Sequence, residues 1–121
     1  MALRHQAKSN FEEIEKLRLN YREKYNQAQM MTAPVEHAYC HWLIKNHYTG
    51  HADIVELGCF LGSMSRALVN GLKENQTPSA HERKIQVYDR FVWIENMDQW
   101  TAGLKLENRP EIGSSYKPLY E

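Results

Sequence analysis

Glu56, Gly58, Gly62 and Asp89 have the types and order that nucleoside recognition requires. The first three lie in Ala52-Asp-Ile-Val-Glu-Leu-Gly-Cys-Phe-Leu-Gly-Ser63, and Asp89 closes Lys84-Ile-Gln-Val-Tyr-Asp89 about thirty residues on. Glycines let a backbone approach a ligand closely, and a helix that starts behind them offers unpaired N–H groups. An acid at the end of a second strand can accept both hydroxyls of a ribose. The pattern is Glu56-x-Gly58-x-Phe60-x-Gly62, so Phe60 stands where a pyrophosphate turn has its second glycine. A bulky side chain there obstructs a diphosphate. Glu56, at the strand end, suits an ammonium or a sulfonium and repels a phosphate. These residues favour adenosine without phosphates, the character of S-adenosyl-L-methionine.

The elements needed to position them can be read around the motif. Ile54, Val55 and Leu57 predict a short buried strand that breaks at Gly58. A helix is expected from about Ser63 to Lys73, with Met64, Ala67, Leu68 and Leu72 inward. A polar connection, 74–83, contains Pro78, and a second strand runs from about Lys84 to Asp89. Strand, glycine turn, helix and acid-tipped strand together make the half-site of a doubly wound α/β fold. Upstream, Ser9 or Asn10 with Glu12 or Glu13 has the form of a capping box. Phe11, Ile14, Leu17, Tyr21 and Tyr25 then line one helix face, opposite Glu12, Glu15, Lys16, Arg22 and Glu23. That stripe packs on its own domain, or forms an oligomer seam or lid. Pro34 and Glu36 start a further helix whose core residues are expected to be Val35, Ala38, Tyr39, Trp42 and Leu43, with Gly50 as C-cap. The segment 92–103 reads as a short helix or lid. The chain thus divides into an N-terminal helical segment, 1–30, and a partial nucleoside-binding domain, 31–121.

With these residues in place, the chain resembles class I S-adenosylmethionine-dependent methyltransferases. Within them it is most similar to the macrocin-type sugar O-methyltransferases and the related catechol and caffeoyl-CoA O-methyltransferases. The likeness rests on the Glu-x-Gly-x-(aromatic)-x-Gly turn, the acid closing the second strand, and Met30-Met-Thr-Ala-Pro-Val-Glu36. It spans roughly residues 30 to 100. The resemblance implies a Rossmann-like fold, S-adenosyl-L-methionine as cofactor, and methylation of a sugar or other small-molecule hydroxyl. It also implies that Glu56, Gly58, Phe60 and Gly62 line the cofactor, that Ser63 donates near its carboxylate, and that Asp89 takes the ribose hydroxyls. Met64 stands where the relatives usually carry a serine, with Ser63 and Ser65 beside it. Magnesium, where such enzymes use it, is held by carboxylates on later strands, so the resemblance points to no metal ligand and no catalytic base among these residues.

Composition narrows the field. The 121 residues suffice for one small domain, and fifteen basic residues balance fifteen acidic ones. No basic field invites nucleic acid, and no apolar run is long enough for a bilayer or a signal peptide. Two cysteines make no disulfide framework, and a cytoplasmic protein is expected. Only two convincing strands are legible. Two parallel strands with their helices leave an open sheet edge and an uncovered apolar face. The expected object is therefore an incomplete fold: an N-terminal fragment, or a subunit completed by a partner or by a second copy. A non-catalytic, sheet-completing role and another nucleotide-binding α/β protein are the rival readings.

Other constellations compete. His37 and His41 stand four apart, with Cys40, His47 and His51 near, a spacing that suits a metal. They are expected instead on the solvated face of their helix, opposite its core stripe. Cys59 in the glycine turn reads as a small buried filler rather than a nucleophile. Phe91, Trp93 and Trp100 either wall an adenine or form a local core.

Overall fold

Ile54–Leu57 and Ile85–Tyr88 pair in parallel as β1 and β2, in the register Ile54↔Ile85 through Leu57↔Tyr88. The computed structural model describes residues 1–24, 32–102, 106 and 109–121. Six helices accompany the strands among them: α1 (Ala2–Lys24), α2 (Pro34–His47), α3 (Ser63–Glu74), α4 (Pro78–His81), α5 (Glu95–Trp100) and α6 (Lys117–Tyr120). The architecture is mixed α/β, with α3 and α4 in the crossover between the strands.

Period-two alternation sorts the two sheet faces. Ile54, Glu56, Ile85 and Val87 are buried or half-buried, and Glu56 is tied to α3 through the Ser65 hydroxyl. Val55 and Leu57 are 53% and 77% exposed, and Tyr88 beside Leu57 is also open. The expectation that Val55 and Leu57 are buried is therefore corrected. No second layer covers their face among the described residues, and the fully buried position of β1 is the acidic one.

The helical layer departs from expectation in three places. First, α1 begins at Ala2 rather than at a cap near Ser9 or Asn10, because Ala2–Lys8 is rich in strong helix formers. Ile14, Leu17 and Tyr21 keep the predicted stripe, whereas Phe11 is exposed and Tyr25 lies outside the described residues. Second, α2 starts at Pro34 as predicted, and the Glu36 carboxylate accepts from the Ala33 N–H at 2.6 Å. Its buried face, however, is His37, Ala38, His41 and Ile44. Val35, Tyr39 and Leu43 are exposed, so the core face is rotated from the predicted one. Third, α2 stops at His47, and Gly50 is not its cap. Gly50 instead packs where any Cβ would strike the Ser79 carbonyl at 2.3 Å.

Buried polar groups join the helices. His41 Nδ1 lies 2.8 Å from the Tyr21 hydroxyl of α1, and its Nε2 lies 2.6 Å from Glu74 of α3. Lys45 donates to Glu13 at 2.7 Å, a second α1–α2 tie. Asn75, immediately after α3, donates to the Ile44 and Tyr48 carbonyls and accepts from the Thr77 N–H. The bonds of Tyr21, His41 and Asn75 satisfy buried polar groups, while the Lys45–Glu13 pair stays partly open to water.

Candidate functional site

The parallel ladder ends where Gly58 N–H bonds the Tyr88 carbonyl at 2.8 Å, and the chain then turns sharply into α3. Gly58 and Gly62 take φ of 77° and 85°, in the left-handed region that side chains disfavour. Phe60 lies there too at 47°, and so does Phe91 at 51°, just past Asp89. Left-handed backbone at a bulky residue costs on the order of 1–3 kcal/mol and persists only where its surroundings hold it. Two such aromatic residues flank the same carboxylate.

Asp89 is the centre of this arrangement. Its Oδ2 accepts from the Cys59 N–H at 2.9 Å and the Phe60 N–H at 3.5 Å. Its Oδ1 accepts from the Phe91 N–H at 2.7 Å and from the Tyr116 hydroxyl. Burial alone would raise its pKa. The bonds from Tyr116, Phe91, Phe60 and Cys59 outweigh that and hold it below the ordinary carboxylate value, so it is ionised at neutral pH. The β-strand end supplies its position, and the glycine turn supplies its donors.

A cavity of about 480 Å³ opens beside this carboxylate. Gly58, Phe60, Ser63 and Asp89, four of the six predicted site residues, line it. Met64 lines it as well, next to Ser63. Glu56 and Gly62 do not. Glu56 is buried beneath the turn, and the Ser65 hydroxyl donates to it. Burial pushes its pKa up, the Ser65 bond opposes that, and the Asp89 charge adds to it. Gly62 sits behind the turn, with the Tyr120 ring 3.0 Å from where its Cβ would stand.

The three aromatic residues expected either to wall an adenine or to form a local core are placed differently. Trp93 is fully buried with Phe60, Met97 and Tyr116, and its indole N–H donates to Asp98 at 2.9 Å. It belongs to the local core. Trp100 is 38% exposed, lines the cavity and meets Phe60 edge-on at 6.1 Å between ring centres. Phe91 packs against Tyr116 and Tyr120. The segment 92–103 holds α5, while Gly103 lies outside the described residues.

Cys59 is 4% exposed, and burial, with the nearby Asp89 and Glu56 charges, pushes its thiol up to about 12. A thiol so shifted is a poor nucleophile at neutral pH. The predicted solvated placement of His37 and His41 is overturned: both are buried against Tyr21, at 0% and 4% exposure. His37 Nε2 lies 2.5 Å from the Thr32 hydroxyl, and Thr32 lines the cavity. Met30 and Met31, which precede Thr32 in the resembling segment, lie outside the described residues. Among the described residues no group of three His, Cys, Asp or Glu side chains is arranged to hold a metal ion.

Sequence reasoning missed Tyr116, Thr32, Ile94 and Met97 as parts of this site. Tyr116 sits in a stretch with no periodic pattern, and only tertiary contact brings it to Asp89. No helix among the described residues is long and apolar enough to cross a membrane. Comparison with protein-family models, with curated proteins and with solved structures found no match.

Proposed function

We propose that this chain carries the cofactor half-site of an S-adenosyl-L-methionine-dependent methyltransferase acting on a small-molecule hydroxyl, in a Rossmann-like fold. The observation that carries the reading is the ionised Asp89 at the end of β2, facing a Gly58–Phe60–Gly62 turn that enters α3. The residues fit an adenosyl group. Asp89 suits ribose hydroxyls, Ile94, Met97 and Trp100 offer an apolar wall to a purine, and Ser63 offers a hydroxyl at the helix start. Phe60 stands where a diphosphate would need open backbone, which disfavours NAD and nucleotide sugars.

When bound, the cofactor supplies a methyl group on a sulfonium for in-line displacement by an oxygen nucleophile. This chain's part is to bind and orient: Asp89 fixes the ribose, and the turn and its flanking walls keep water from the reacting end. Glu56 acts from beneath, as a buried acid shaping the turn through Ser65.

Calorimetric titration with S-adenosylhomocysteine tests the reading. Saturable binding is expected, and Asp89→Ala should weaken it at least about tenfold, since it removes the charged acceptor that holds the Cys59, Phe60 and Phe91 N–H groups of the turn as well as the partner of the ribose. Binding of NAD in preference to S-adenosylhomocysteine would sink it.

A second reading is favoured by one observation, the exposed Val55–Leu57–Tyr88 face. In it the chain contributes strands to a sheet completed by a partner or a second copy, and has no catalysis of its own.

A further inference from the structure

The segment from Arg109 to Tyr116 folds back over the site through bonds of its own. Arg109 donates to the Thr101 hydroxyl at 2.8 Å and to the Thr101 carbonyl at 3.0 Å, which anchors it at the end of α5. Gly113 N–H then bonds the Trp93 carbonyl at 2.7 Å, and Trp93 N–H bonds the Ser114 carbonyl at 2.8 Å. Tyr116 N–H closes on the Phe91 carbonyl at 2.9 Å, and Val92 and Ser115 form an antiparallel bridge between them. This is a strap, laid along the chain that leaves β2.

Its side chain of consequence is Tyr116, only 1% exposed, with its ring packed among Phe60, Phe91 and Trp93. The hydroxyl it carries is delivered to Asp89 Oδ1. A carboxylate offers about four lone-pair sites. Here Cys59, Phe60, Phe91 and Tyr116 occupy them. Three of those donors are backbone N–H groups locked into the turn and the strand exit. Tyr116 is the one side-chain donor, so its hydroxyl can leave Asp89 while those three N–H groups stay in place.

We propose that this strap is an internal competitor for the ribose: the Tyr116 hydroxyl caps Asp89 and must be displaced before a ribose diol is held there. The proposal rests on the adenosyl-binding reading of the same site. It makes the unliganded chain self-satisfied, and it couples cofactor entry to release of 109–116. Cofactor affinity is thereby set by how firmly the strap is anchored.

Tyr116→Phe removes the competing hydroxyl and keeps the ring. Titrated with S-adenosylhomocysteine, the variant should bind about tenfold or more tightly than wild type, the worth of a hydrogen bond to a charged group. With the 2′,3′-dideoxy counterpart of that ligand, the two proteins should bind alike. Equal affinities for S-adenosylhomocysteine, or weaker binding by the variant, would overturn the strap and leave the adenosyl reading standing. No binding by either chain, with circular dichroism showing both folded, would remove that reading and the strap with it. Should Tyr116→Phe fail to fold, wild type alone decides. If Tyr116 must be displaced, the dideoxy ligand binds within about threefold of the parent. If Asp89 is open, the loss is about tenfold or more.

Discussion

His37 shows how a single buried side chain sets a pH limit. It is fully buried, its Nε2 contacts Thr32, and its Nδ1 has no hydrogen-bond partner among the described residues. Protonation would put a second N–H, and a charge, where none of the described residues accepts them. Burial accordingly lowers its pKa, and the nearby Glu36 carboxylate only partly offsets this. The unfolded chain therefore binds this proton more readily than the folded one. Stability is full above the unfolded histidine value, about 6.5, and falls as pH drops through it. Thermal melts at pH 7.5 and 5.5 should show wild type losing stability, and His37→Gln losing clearly less. Identical losses in both proteins would assign the acid sensitivity to other groups.

At the scale of elements, the packing of α2 on α3 depends on one missing side chain. A Cβ on Gly71 would lie 2.6 Å from the His41 carbonyl and 2.9 Å from the Ile44 Cβ. Gly71→Ala should gain up to about 1 kcal/mol of helix propensity. Overpacking of a tight contact costs about 1–3 kcal/mol, so the net effect should be destabilising. The same shift would disturb His41, which spans Tyr21 and Glu74 and so connects all three long helices. Chemical denaturation should show a lower midpoint with an unchanged slope. A midpoint at or above that of wild type would mean the helices separate without penalty.

For the whole molecule, the imbalance lies in the sheet. One face is closed by helices and by the Glu56–Ser65 bond, while the other presents Val55, Leu57 and Tyr88. Each strand also has one unpaired edge among the described residues. Exposed apolar surface next to open edges favours association. The purified chain is expected to associate as its concentration rises, and Leu57→Lys, at a position already 77% exposed, to reduce that association without loss of fold. Light scattering coupled to size exclusion reads both. A monomer at every concentration would argue that this face is tolerated in water.

Local chemistry made part of this protein legible without coordinates. β1, α3 and β2 fall where period and glycine placement put them, because strand alternation, turn and helix entry are short-range properties. The uncovered sheet face was legible from the number of strands. Four of the six residues expected at a site line one cavity, since a strand–turn–helix sets their spacing directly. Contacts between distant elements decided the rest. The buried face of α2 is histidine-bearing rather than aromatic because Tyr21 of α1 and Glu74 of α3 offer His41 partners and Thr32 offers one to His37, and hydropathy alone cannot register a partner. Glu56 is buried for the same reason, with Ser65 waiting beneath it. Tyr116 reaches Asp89 across 27 residues with no pattern to announce it. Sequence determined which groups stand at each strand end, and the tertiary structure decided which of them are free to meet a ligand, because a hydrogen bond to a distant residue has no signature in local spacing.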